Sequence, residues 1–153
     1  MCANFAAAMT RTASTTLSVG ALTAAASNPR RYKLSDWVFG AGEAAPADGN
    51  FLWQIQRCTT AGTAGSSVTP QSIDPGDTQA ATTVCGQAHS ADPTLTANAI
   101  LASIGLNQRA SFRWVPAPGK ELVIPATASN GLAFRTPTAA LVTCTSQAWF
   151  EEQ

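Results

Sequence analysis

A chain of 153 residues with 45% hydrophobic and 12% charged residues, nine basic side chains against nine acidic ones, is long enough for one core and too evenly charged for a nucleic-acid partner. The same balance is the opposite of the disordered signature. No apolar run approaches the roughly eighteen residues of a membrane span, and the longest alanine-rich stretch is broken by Arg11. The first residues lack a basic leader ahead of an apolar block, so no signal peptide and a reducing compartment are expected. A surface so poor in charge is weakly protected against association, and the chain is expected to be assembled with something.

In chain order, Met1–Thr12 is a candidate N-terminal arm, apolar enough through Phe5 and Met9 to add to a partner's sheet. The competing reading is a first strand paired with Ala139–Phe150. Thr15–Leu22 and Arg31–Phe39 are β-prone and separated by Ser27-Asn28-Pro29. Phe51, Trp53 and Ile55 alternate with other residues at a period of two, the clearest strand in the sequence. Residues 59–92 carry only Val68, Ile73 and Val84 as larger apolar side chains in thirty-four positions, which predicts a long contact loop or, equally, a floppy excursion with one weak strand around Ser67–Ile73. Asp92-Pro93 predicts at most a short helical turn over Pro93–Ala97. Ile100–Leu106, the turn Asn107-Gln108 and Arg109–Val115 then read as a hairpin. Pro116-Ala117-Pro118-Gly119 is a turn by composition. Glu121–Ile124, Leu132–Arg135 and Ala139–Phe150 complete the strands, with Val142, Cys144, Ala148 and Phe150 on one face. About eight or nine short strands predict an all-β, antiparallel, jelly-roll-like β-sandwich spanning 1–153 as a single domain.

Chemistry-bearing residues are sparse. The single histidine, His89, lies in the polar 59–92 segment, where a solvent-exposed ring is expected; a thiolate pair with Cys85 has no rigid frame to orient it. Cys2, Cys58, Cys85 and Cys144 show no CxxC spacing and are expected to be free, partly buried thiols; Cys58–Cys85 is the one bridge worth testing. Asp74 and Asp77 sit in a turn sequence, Asp-Pro-Gly-Asp, that proline and glycine explain without calcium. Glu43, Glu121, Glu151 and Glu152 fall at loop, strand-start and tail positions with no shared cleft. No metal, cofactor or catalytic set is assigned, and no enzyme is expected. Trp53 and Trp114 alternate with large apolar residues as core tryptophans do, whereas Trp37 and Trp149 are less determined and offer platforms for a sugar. Arg109, Arg113 and Arg135, with the cluster Arg30, Arg31 and Lys33, have two readings of equal standing: a solvated outer face, or contacts to acidic groups of a neighbouring subunit.

The segment from Gln108 to Gly131, with Arg109-Ala110-Ser111-Phe112-Arg113-Trp114-Val115-Pro116-Ala117-Pro118-Gly119 at its head, and the segment Phe51–Thr60 together resemble small proteins encoded among the structural genes of tailed bacteriophages. The resemblance runs over most of the chain and implies a jelly-roll virion protein. Many such proteins bind the outside of the icosahedral shell as trimeric cement or decoration units. The expected function is therefore a non-enzymatic capsid decoration protein, a homotrimer made in the host cytoplasm and bound to the major capsid protein on the outer surface of the virion, with no membrane partner. Phe5, Met9, Arg30, Arg31, Lys33, Asp74, Asp77, His89, Arg109, Arg113 and Arg135 are its candidate contacts. The alternative is a receptor- or glycan-binding module of a tail, fibre or head fibre, resting on Trp37, Trp149 and the 59–92 segment.

Overall fold

The computed structural model describes residues 3–13, 17–42, 48–138 and 142–153. Cys2, Thr15, Thr16, Glu43 and Ala139 to Leu141 lie outside the described residues. The described residues form twelve strands and no helix: β1 (Ala3–Thr12), β2 (Gly20–Thr23), β3 (Tyr32–Ala41), β4 (Asn50–Cys58), β5 (Ser66–Val68), β6 (Gln71–Ser72), β7 (Val84–Gln87), β8 (Leu95–Asn107), β9 (Ser111–Trp114), β10 (Leu122–Ile124), β11 (Gly131–Arg135) and β12 (Thr143–Glu152). They make two antiparallel sheets. The first is ordered β10-β3-β12-β1-β6 with β9 also paired to β3, and the second β5-β7-β2-β11-β4-β8.

The pairing is nested. β4 pairs with β8, β3 with β9 and β10, β2 with β11, and β1 with β12. One long hairpin is thus rolled up so that successive pairs fall in alternate sheets, which is the connectivity of a jelly roll. The all-β sandwich matches the sequence pattern, with more strands than the expected eight or nine.

Alternation builds the core. Phe5, Ala7 and Met9 of β1, Leu34, Trp37 and Phe39 of β3, and Cys144, Ala148 and Phe150 of β12 face inward from the first sheet. Leu22, Phe51, Trp53, Ile55, Leu132 and Phe134 meet them from the second. Trp37 stacks on Phe39 of the same strand at 3.8 Å, and rings interdigitate between the layers where it meets Phe134 at 5.6 Å and Trp53 at 6.2 Å. Two of the buried polar tips are bonded, Trp37 Nε1 donating to Ser146 Oγ at 2.7 Å and Tyr32 OH to the Leu22 carbonyl at 2.5 Å, whereas Trp53 Nε1 is buried without a partner.

Four expectations change. Ile100–Leu106 and Arg109–Val115 are not a hairpin, because β8 belongs to the second sheet and β9 to the first; the Asn107–Ala110 turn is a corner between layers. No helical turn forms at Pro93–Ala97, which leads directly into β8. Met1–Thr12 is not an arm: from Ala3 on it is a first strand in register with β12, Ala3 opposite Glu152 and Thr12 opposite Thr143. The 59–92 segment is not a loose loop. Its neck is closed by Thr59 N donating to the Thr94 carbonyl at 2.9 Å and Thr94 N to Thr60 Oγ1 at 2.8 Å. Its strands β7 and β5 then extend the second sheet beyond β2, and β6 extends the first beyond β1. The excursion therefore covers the flank of the sandwich where β1 and β2 would otherwise be edges.

The turn at Pro116-Ala117-Pro118-Gly119 forms as composition requires. Lys120 N donates to the Ala117 carbonyl at 2.9 Å, and Gly119 takes a φ of 77°, the left-handed position that follows a proline in a type II turn.

Candidate functional site

Most of the candidate contact residues turn out to have partners within the chain. Phe5 and Met9 are buried core residues and unavailable to another subunit. Arg113 grips Asp36 with Nε at 2.9 and 3.1 Å from the two carboxylate oxygens and with a further bond from Nη2. Arg109 Nε lies 2.9 Å from Asp48, both side chains exposed. Arg135 donates to Gln56 Oε1 at 3.0 Å and sits 3.7 Å from Asp92. Arg30 lies 3.9 Å from Glu152. Asp74 and Asp77 accept from backbone amides two residues on, Gly76 N at 2.8 Å and Gln79 N at 2.9 Å, and so hold their own turns. Arg31 and Lys33 stand at the start of β3, exposed and half-buried.

His89 is buried, not solvent-exposed, with 1% of its surface accessible. Its Nε2 lies 3.1 Å from the Ala61 carbonyl, which only accepts, so the neutral ring carries its proton there. The His89 carbonyl takes a bond from Arg11, and Asp92 beside it accepts from Ser18 N at 2.7 Å and Ser18 Oγ at 2.6 Å. This network staples the excursion to β1 and the segment before β2. Cys58, Cys85 and Cys144 are free and buried, so Cys58–Cys85 is not a bridge. Burial pushes the Cys58 and Cys85 thiols up to about 12 and Cys144 to about 11, which leaves them protonated at neutral pH. Among the described residues no three His, Cys, Asp or Glu side chains converge as metal ligands.

Two surfaces stand apart from these internal contacts. The first is the open edge of β8. Three of the four sheet margins end in strands of two to four residues, β6, β5 and the pair β9 and β10, which is how sheets avoid uncontrolled pairing. The fourth margin is β8, thirteen residues reading LTANAILASIGLN without one charge or proline. Its first half is bulged around Asn98, whose φ is 57°. Ala102 to Asn107 then run in unbroken register against Ile55 to Asn50, with no strand on their other side among the described residues. Ile100 is 47% exposed.

The second surface is the outer face of the first sheet. Ser35, Asp36, Val38, Arg113 and Trp149 line a groove of about 530 Å³ there, and an adjoining one of about 320 Å³ shares Val38 and continues over Ala8, Thr10, Thr145 and Gln147. Trp149 is half-buried in this face. Trp37, the other proposed sugar platform, is fully buried and plays no such part, and Trp114 packs half-buried against the core. The β8 edge does not show in the sequence pattern, where its residues read as one arm of a hairpin. The missing charge over thirteen positions was the available signal. Compared with protein-family models, curated proteins and solved structures, the chain matches none.

Proposed function

We propose that this chain is a non-enzymatic structural protein of a virion, a trimeric decoration or cement protein on the outer surface of a tailed-phage head, bound to the major capsid protein. The observation that carries this reading is the uncharged, unpaired edge of β8 in a molecule that keeps its other margins short. An extended segment of a capsid subunit adds to Ala102–Asn107 as a further strand, with backbone bonds giving affinity. No charge has to leave water at that contact, which spares the desolvation cost of buried ions. A chain of zero net charge also brings three copies together without mutual repulsion. Binding only the assembled shell then stabilises it by mass action. The protonated thiols and the engaged His89 ring support a role without chemistry.

The test combines sedimentation of the purified chain with binding to undecorated heads. A trimer that co-sediments with heads and raises their resistance to heat and chelator is expected. A chain that stays monomeric at high concentration and leaves head resistance unchanged would overturn the proposal.

A further inference from the structure

We infer that the groove beside Trp149 is a binding site for a neutral oligosaccharide. This goes beyond the virion reading and does not depend on it, since the groove lies on the outer face of the first sheet and β8 edges the second.

The local geometry begins with an irregularity. Trp149 is opposite Asp36 in β3 while Phe150 is opposite Leu34, so Ser35 is an extra residue in β3. Such a bulge re-aims side chains. Here Leu34 and Trp37 stay buried, and the two residues between them, Ser35 and Asp36, both come to the outer side. Ser35 Oγ donates to the Trp149 carbonyl at 3.1 Å, fixing the bulge against β12. On the other flank Trp149 faces Ala6 of β1, and the next outward residue, Gln147, faces Ala8. Only methyl side chains stand beside the half-buried indole on that flank.

The groove thus joins an aromatic surface to a carboxylate and a guanidinium. Asp36 is largely sheltered, its side chain 13% exposed, while that of Arg113 is 65% exposed. A pyranose presents the matching chemistry: an apolar C–H face for the ring, and hydroxyls that donate to Asp36 and accept from the remaining N–H groups of Arg113. The pair is internally neutral, so a charged ligand finds no unbalanced partner. Both depressions are open to solvent, so a ligand lies along the sheet face rather than inside a closed cleft. From Trp149 to Thr145 the track follows β12 for about 13 Å, past Gln147, Thr145 and Thr10, all neutral amide or hydroxyl side chains. That length suits several sugar units rather than one.

A peptide fits less well. β12 is hydrogen-bonded to β1 on one side and β3 on the other, so its backbone offers no edge for strand addition. Recognition on this face has to come from side chains.

The test is an array of neutral and anionic glycans probed with the full chain, followed by titration of any retained glycan against wild type, Trp149→Ala, Trp149→Phe and Asp36→Asn. Folding of each variant is checked by near-UV circular dichroism and thermal melting. Retention of neutral glycans is expected, weakened about tenfold or more by Trp149→Ala, less by Asp36→Asn, and largely kept by Trp149→Phe, which preserves an aromatic face. A blank array, retention of anionic glycans alone, or equal affinity in a folded Trp149→Ala variant would each overturn the assignment. Should Trp149→Ala fail to fold, the Asp36→Asn arm decides: unchanged affinity there overturns the assignment.

Discussion

Glu152 shows how much one side chain at a strand end can organise. It is 1% exposed, and its carboxylate accepts from Thr83 N at 2.6 Å, from Thr82 N at 2.9 and 3.2 Å and from Thr82 Oγ1 at 3.1 Å. Arg30 at 3.9 Å, its side chain 43% exposed, adds little to this. Removing the acceptor strands two amides of the excursion, so Glu152→Ala is expected to lose about 2–3 kcal/mol in urea unfolding, and Glu152→Gln less. A loss under about 0.5 kcal/mol would refute the capping role. His89 belongs to the same excursion. Burial holds its ring below the ordinary value of 6.5, with Arg11 pushing the same way and the Ala61 carbonyl and Asp92 pulling back. As pH falls, the unfolded chain therefore takes up this proton before the folded one does. Stability is expected to drop as pH falls below about 6.5, levelling off once the folded ring also protonates. Urea midpoints measured from pH 7.5 to 5 in wild type and His89→Gln check this; equal slopes in the two proteins would refute it. Neither role was legible in the sequence. Glu152 reads as a tail residue and His89 as a polar loop residue, because what buries each is contributed by a segment some seventy residues away.

At the scale of elements, the legible strands are those whose own side chains carry the period. Phe51, Trp53 and Ile55 in β4, and Val142, Cys144, Ala148 and Phe150 along the β12 segment, are buried as alternation demands. β5, β6 and β7 carry no such period. They are held by backbone pairing and by threonine, aspartate and glutamate bonds to backbone, none of which leaves an apolar pattern to read. The hairpin over Ile100–Val115 failed for another reason: turn chemistry is local, but the partner of β8 is chosen by nested pairing with β4. The consequence of that placement is the exposed edge. Gly105 has open space where a Cβ would stand, so Gly105→Lys adds an edge charge without a clash. That variant is expected to keep the wild-type melting temperature within about 3 °C while losing head binding. Wild-type head binding by a folded Gly105→Lys chain would show that β8 is not the contact.

For the molecule as a whole, the low charge acquires a more definite meaning. Arg30, Arg109, Arg113 and Arg135, expected either to be solvated or to reach a neighbour, have acidic partners within the chain, and Arg11 and Arg57 donate to backbone carbonyls. The surface offered to the outside is therefore more neutral than the composition alone suggests. The jelly roll was legible as a class because strands recur about every ten residues, whereas the rolling of one hairpin into two layers was not, since each pairing joins segments whose separation grows outward from β4 and β8. That nesting also bears on how the fold is reached. The outermost pair brings Ala3 to Glu152, yet β12 is no edge: it lies between β1 and β3. β12 follows the other eleven strands in sequence and yet completes the middle of a sheet. Before it inserts, β1 and β3 each offer a ten-residue open edge to any neighbouring chain, so folding races against intermolecular pairing, and crowded chains lose that race first.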